Sequence, residues 1–200
     1  MTGLGRKGRT TVRVVAVATA IMGTAQVGSA QQFGATLTGA QQVPPVATPA
    51  IGQATLSLTG GSLLTVNVTF ANLSSGTLFA HIHAPAPLGA NAPVAVPFAG
   101  FPVGVTTGAY NAVLNLDLGS TYEPTFLTAN GGSVAAARTS LVNAMTGGLA
   151  YVNVHTQTFP GGEIRGQIGQ ASVVPEPGTY VLLATGQAGL GMIARRRPQG

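Results

Sequence analysis

Between residues 31 and 172 apolar and polar positions alternate with a period of two, the pattern of strands that bury one face. Leu64, Val66, Val68 and Phe70 share one face of a run whose other face carries Leu63, Thr65, Asn67 and Thr69. Tyr110, Ala112, Leu114 and Leu116 alternate in the same way with Asn111, Val113, Asn115 and Asp117. Further strand runs are 33–38, 52–58, 78–83, 93–98, 149–156 and 163–169, separated by Gly-Gly, Pro-Gly and Asn-Gly punctuation. One stretch changes to helical spacing: Ser133 to Met145, with Val134, Ala137, Leu141 and Met145 on one side and Gly147-Gly148 as the stop. Gln41-Gln42-Val43-Pro44-Pro45-Val46 reads as a stiff loop, because neither proline can donate to a ladder. The pattern predicts an all-β fold: an antiparallel Greek-key β-sandwich or flattened barrel with one short helix, over residues 31–172.

Charge changes the picture by where it lies. The net charge is +5, and only 6% of residues are charged, against roughly 25% in an ordinary soluble domain. Arg6, Lys7, Arg9 and Arg13 open the chain and Arg195, Arg196 and Arg197 close it, whereas the body holds only Asp117, Glu123, Arg138, Glu163 and Arg165. The body therefore has no patch able to neutralise several phosphates, which argues against nucleic acid as a partner. The chain has no cysteine, so thiol catalysis, disulfides and Cys-ligated metals are excluded. No Gly-x-Ser-x-Gly nucleophile motif occurs, and three body carboxylates serve glycosidase chemistry poorly.

Both ends read as addresses. A basic start, the apolar run Val14 to Met22, and small residues at Gly28 and Ala30 are the parts of a secretory signal peptide over residues 1–30. At the other end, Pro175-Glu176-Pro177 precedes an uncharged segment, Thr179 to Ala194, and the Arg195-Arg196-Arg197 tail. An apolar stretch followed by cations fits a transient inner-membrane anchor in the positive-inside orientation. The segment 173–200 resembles the PEP-CTERM sorting signal of Gram-negative bacteria. That resemblance implies an exosortase as processing partner, cleavage near the Pro-Glu-Pro triplet, and delivery to the cell surface or an extracellular polysaccharide matrix.

The three histidines are the chemical feature of the body. In His81-Ile82-His83 the strand pleat sends both imidazoles to one face, about 6.5–7 Å apart at the backbone. In Tyr151-Val152-Asn153-Val154-His155, residues Tyr151, Asn153 and His155 share a face opposite Val152 and Val154. A hairpin across Thr156–Gly162 would set His155 opposite Glu163, Asn153 opposite Arg165 and Tyr151 opposite Gln167. In that register Glu163 would orient or supplement His155, and Arg165 would supply positive charge beside it. Three neutral imidazoles suit copper, zinc, iron or nickel, and three protein ligands with an open position mark reactive rather than structural metal sites.

Several blocks together carry a resemblance: Gln41-Gln42-Val43-Pro44-Pro45, Phe79-Ala80-His81-Ile82-His83, and Tyr151 to Thr156 followed by Phe159-Pro160-Gly161-Gly162-Glu163-Ile164-Arg165-Gly166-Gln167-Ile168. Over about residues 33–168 the chain resembles the CHRD domain, named for its occurrence in chordin, which implies a β-rich extracellular module and no set activity. The His81-Ile82-His83 strand is also distantly similar to the copper strand of Cu/Zn superoxide dismutases, with His155 in the place of a later copper ligand. No bridging histidine or zinc cluster accompanies it, which leaves a mononuclear copper site. Two functional readings therefore lead: a non-enzymatic surface or matrix module, and a mononuclear copper protein (zinc second) with copper-capture or dismutase-like activity; a polysaccharide-binding adhesin ranks third. Deleting residues 175–200 is expected to release the protein into the medium, as read by immunoblotting of cells and supernatant. Unchanged surface retention of the truncated chain contradicts the sorting role.

Overall fold

The computed structural model describes residues 30–171. The expected signal peptide (save its last residue) and the expected sorting segment, with Pro175, Glu176, Pro177 and Arg195 to Arg197, lie outside the described residues.

The period-two runs become nine antiparallel strands: β1 (Gln31–Thr38), β2 (Ile51–Thr59), β3 (Leu63–Ala71), β4 (Thr77–His83), β5 (Val94–Pro97), β6 (Gly108–Asn115), β7 (Tyr151–Thr156), β8 (Ile164–Gln167) and β9 (Gly169–Gln170). They form one continuous sheet in the order β5-β4-β7-β8-β1-β2-β3-β6, with the short β9 also pairing β1. Of the two expected forms, a two-sheet sandwich or a flattened barrel, the structure takes neither in full: it is a single antiparallel sheet curled into a half-barrel. Its concave side gathers Phe33, Leu37, Leu56, Val66, Ile82 and Val154, each almost wholly buried.

The two edges of the sheet, β5 and β6, do not pair with each other. Aromatic packing spans the opening instead: Phe98 stacks on Tyr110 at 5.0 Å between centroids, and Phe101 stacks on Phe70 at 5.4 Å. Such contacts add about 0.5–1.5 kcal/mol each beyond the area they bury. Two helices close the mouth, where one was expected. Helix α2 (Val134–Thr146) follows the sequence reading closely, with the Ser133 hydroxyl accepting from the Ala136 amide and Gly147 at its C-cap. Helix α1 (Pro124–Ala129) was not anticipated, because six residues are too few to show a period; Pro124 in its first turn was the available signal. Phe126 of α1 and Leu141 and Met145 of α2 are buried in the core.

The last strands are the tightest part of the sheet. Strand β7 is buried along its whole length on both faces, so it reads Tyr-Val-Asn-Val-His-Thr with no residue left to water. Its pairing with β8 has the anticipated register: Tyr151↔Gln167, Asn153↔Arg165 and Val154↔Ile164. Gly166 lets β8 approach β1 closely, since a Cβ there would lie 2.6 Å from the Thr36 carbonyl oxygen. Gly166→Ala should therefore destabilise the fold by about 1–3 kcal/mol, the usual cost of overpacking against rigid backbone. Urea denaturation checks this, and an unchanged midpoint contradicts it.

Candidate metal centre

Strand pairing decides which side chains meet. In the β4–β7 register Phe79 faces His155, His81 faces Asn153 and His83 faces Tyr151. The pleat sends all six to one side of the sheet, the convex side, because Ile82, Val152 and Val154 occupy the core side. The three rings converge there: centroids lie 5.6 Å apart for His81 and His83, 5.1 Å for His81 and His155, and 6.2 Å for His83 and His155. One ring nitrogen from each lies within 4.8 Å of those of the other two, so the trio can hold a metal ion.

Hydrogen bonding fixes which nitrogens are available. His83 Nδ1 lies 2.9 Å from the Ala92 carbonyl oxygen, and His155 Nδ1 lies 2.9 Å from that of Pro160. A carbonyl only accepts, so both Nδ1 atoms carry the proton and both Nε2 atoms keep a free lone pair. Among the described residues four buried side-chain polar atoms have no hydrogen-bond partner: His81 Nδ1, His83 Nε2, His155 Nε2 and Arg165 Nε. Three of the four are thus the nitrogens of this cluster. Leaving a buried polar atom unpaired costs about 1–3 kcal/mol, a concentration of cost that a purely structural histidine has no reason to carry.

The surroundings hold these rings neutral. Burial lowers the His81 pKa to about 4, helped by the charges His155 and His83 would carry. Burial likewise takes His83 to about 4 against the opposing Ala92 hydrogen bond, with His155 and Arg165 reinforcing the effect. His155 is lowered too, again chiefly by burial. At neutral pH no proton competes for the lone pairs. Phe79 caps one side, its ring 5.0 Å from His81 and 4.6 Å from His155 while 42% exposed. Tyr151 walls the other, stacked 4.7 Å from His83 with 4° between the planes.

The two residues expected to support the histidines go elsewhere or act at one remove. Glu163, expected to orient His155, makes no hydrogen bond to it. Its carboxylate accepts from the Thr48 hydroxyl, the Ser74 amide and hydroxyl, and the Thr156 hydroxyl, at 2.7–2.8 Å. Strand β8 begins only at Ile164, so Glu163 stands just before it and outside the alternation of its faces. Burial pushes the Glu163 carboxyl up, but those four bonds outweigh it and hold the pKa below the usual carboxylate range. Glu163 therefore ties together the β1–β2 loop, the β3–β4 loop and the end of β7. Arg165 is fully buried, donates to the Asn91 side chain, the Ala90 carbonyl and the Gln167 side chain, and lies 3.4 Å over the Tyr151 ring.

Sequence reading missed the contributors that act through backbone or amide groups. The Gln42 side chain, beside the predicted proline loop, donates to Asn153 Oδ1 at 2.7 Å and so reaches under the histidines. Gly162 is required there because a Cβ would collide with both Asn153 and Gln42. The Ala92 and Pro160 carbonyls carry no side-chain signature. The Pro160-Gly161-Gly162 turn was the one available hint that a carbonyl near His155 is presented inward.

Comparison with known families gives two matches. The model described as the CHRD domain matches residues 33–168, and the model described as the PEP-CTERM protein-sorting motif matches residues 173–197. The second match marks an exported, surface-sorted chain processed by an exosortase. No curated protein and no solved structure matches, so the expected likeness to Cu/Zn superoxide dismutases finds no support, and the single curled sheet differs from their sandwich.

Histidines whose folded pKa lies below the unfolded value of 6.5 make stability depend on pH in one direction. Between about pH 6.5 and pH 4 the unfolded chain takes up protons that the folded chain refuses, so stability falls on acidification and levels off once the folded rings titrate. Glu163 extends the loss further down, because its contribution disappears as pH drops through its own lowered pKa. Urea unfolding in the presence of a chelator should thus give a lower midpoint at pH 4.5 than at pH 7.5. A flat or rising midpoint contradicts the buried, neutral cluster.

Proposed function

The chain belongs to the CHRD family, and on that premise we propose that it is an exported surface or matrix module that captures a single d-block metal ion, copper first, through His81, His83 and His155. The observation that carries this reading is the convergence of three histidines, each with a ring nitrogen within 4.8 Å of the others' and each with a buried ring nitrogen that has no hydrogen-bond partner. Two strands and two backbone carbonyls hold the rings before any ion arrives, so binding costs little ordering of the protein. An all-imidazole set favours copper and zinc over magnesium, calcium or manganese, which want oxygen. Among the described residues no carboxylate joins the three histidines in the cluster, and the reading is of capture and holding rather than turnover. The surface address fits a role in scavenging or storing metal at the envelope, with the extracellular polysaccharide as its surroundings.

Metal analysis of the purified chain after exposure to copper or zinc and removal of excess is expected to give one ion per chain. Replacing all three histidines by alanine should reduce that to background while the chain stays folded by circular dichroism. Because the unpartnered nitrogens are removed as well, the triple variant is expected to be at least as stable as the metal-free parent. Full metal retention by the triple variant, or no stoichiometric metal in the parent, contradicts the proposal.

A further inference from the structure

We infer that the centre is built for monovalent copper, Cu(I), in preference to Cu(II) or Zn(II), and that Arg165 enforces the choice through Tyr151. The inference rests on the metal-capture reading and concerns the charge of the ion rather than the existence of the site. A dication bound by three imidazoles keeps its full double charge, since none of the ligands is anionic. The carboxylates among the described residues, Asp117, Glu123 and Glu163, all lie outside the cluster. Glu163 is held by four hydrogen bonds of its own, and Asp117 is paired with Arg138.

The second observation is the buried cation next door. Among the described residues the one ion pair is Arg138–Asp117, so Arg165 is a fully buried guanidinium with neutral partners only and an unpartnered Nε. Its carbon lies 3.4 Å over the Tyr151 ring, and that ring stacks at 4.7 Å on His83. Two planar groups at those distances cannot occupy the same face of Tyr151, so the phenol ring is sandwiched between the guanidinium and a ring of the cluster. The guanidinium charge reaches the cluster across that ring. A second positive charge on the metal is opposed by the same field, which a partly buried setting screens less than open water does.

Coordination preference points the same way. Cu(I) has no ligand-field preference and three imidazoles complete its shell, whereas Zn(II) and Cu(II) would each need at least one further donor, such as water, to reach their preferred sets. The cluster offers three nitrogens, with the Phe79 and Tyr151 rings against its histidines. The protein performs no redox step in this account. The ion arrives as the monocation, and in the test below ascorbate supplies the electron that converts Cu(II) to Cu(I).

Competition titrations on the purified full chain test this. Bicinchoninate competes for Cu(I) under anaerobic conditions with ascorbate, and a chromophoric chelator competes for Cu(II) and for Zn(II) without it. The parent is expected to bind Cu(I) at least ~100-fold more tightly than Cu(II) or Zn(II), and Arg165→Gln, which removes the charge, should narrow that ratio by ~10-fold. Equal or tighter binding of either dication by the parent overturns the inference and leaves metal capture standing. Absence of binding by every ion overturns metal capture itself. The parent comparison needs no variant, so it decides the preference even if Arg165→Gln unfolds. A folded Arg165→Gln with an unchanged ratio overturns the assignment of that preference to Arg165.

Discussion

The pairing of β4 with β7 is the constraint on which the rest depends. Antiparallel register and the strict alternation of the pleat leave no freedom in which side chains share the convex face. With Phe79 opposite His155 and His83 opposite Tyr151, three imidazoles must meet. Slipping either strand by one residue would send them into the core and bring Ile82 and Val154 to the surface. The apolar residues of the opposite face therefore lock the histidines in place, although they touch none of the chemistry.

This arrangement works against the stability of the metal-free chain. Three buried nitrogens stay unpaired, and their rings are kept neutral where water would let them ionise. Around these strands polar satisfaction is thorough. Glu163 accepts four hydrogen bonds, Asn153 is bonded by Gln42, and Gln167 donates to two carbonyls and receives Arg165. A fold that satisfies its buried polar groups almost everywhere and leaves the exceptions side by side has placed them where a ligand completes them. Arg165 belongs to both accounts: it is anchored by neutral acceptors, and its charge is felt at His83.

Much of this was legible in the chain. The strands of the body, the helix from Ser133, the face shared by Tyr151, Asn153 and His155, and the β7–β8 register all follow from alternation and turn residues. What alternation could not decide is how the sheet closes, since a sandwich and a half-barrel present the same inward and outward pattern. That choice is made at the edges, by Phe98, Phe101 and Tyr110 filling the opening, and by α1, too short to announce itself. At the centre, residue spacing identified the histidines but misplaced Glu163, because the run expected from residue 163 becomes a strand only at Ile164 and its first residue falls outside the pleat. The carbonyls of Ala92 and Pro160 were out of reach for a different reason: backbone groups look alike in any sequence, and only the fold shows which of them face a ring.

X-ray absorption at the metal edge of the copper-loaded chain reads the ligands of the ion itself. Coordination by His81, His83 and His155 gives a first shell of three nitrogen scatterers at about 2.0 Å, with the outer-shell pattern of imidazole rings. A first shell of oxygen, or one without imidazole scattering, would contradict it.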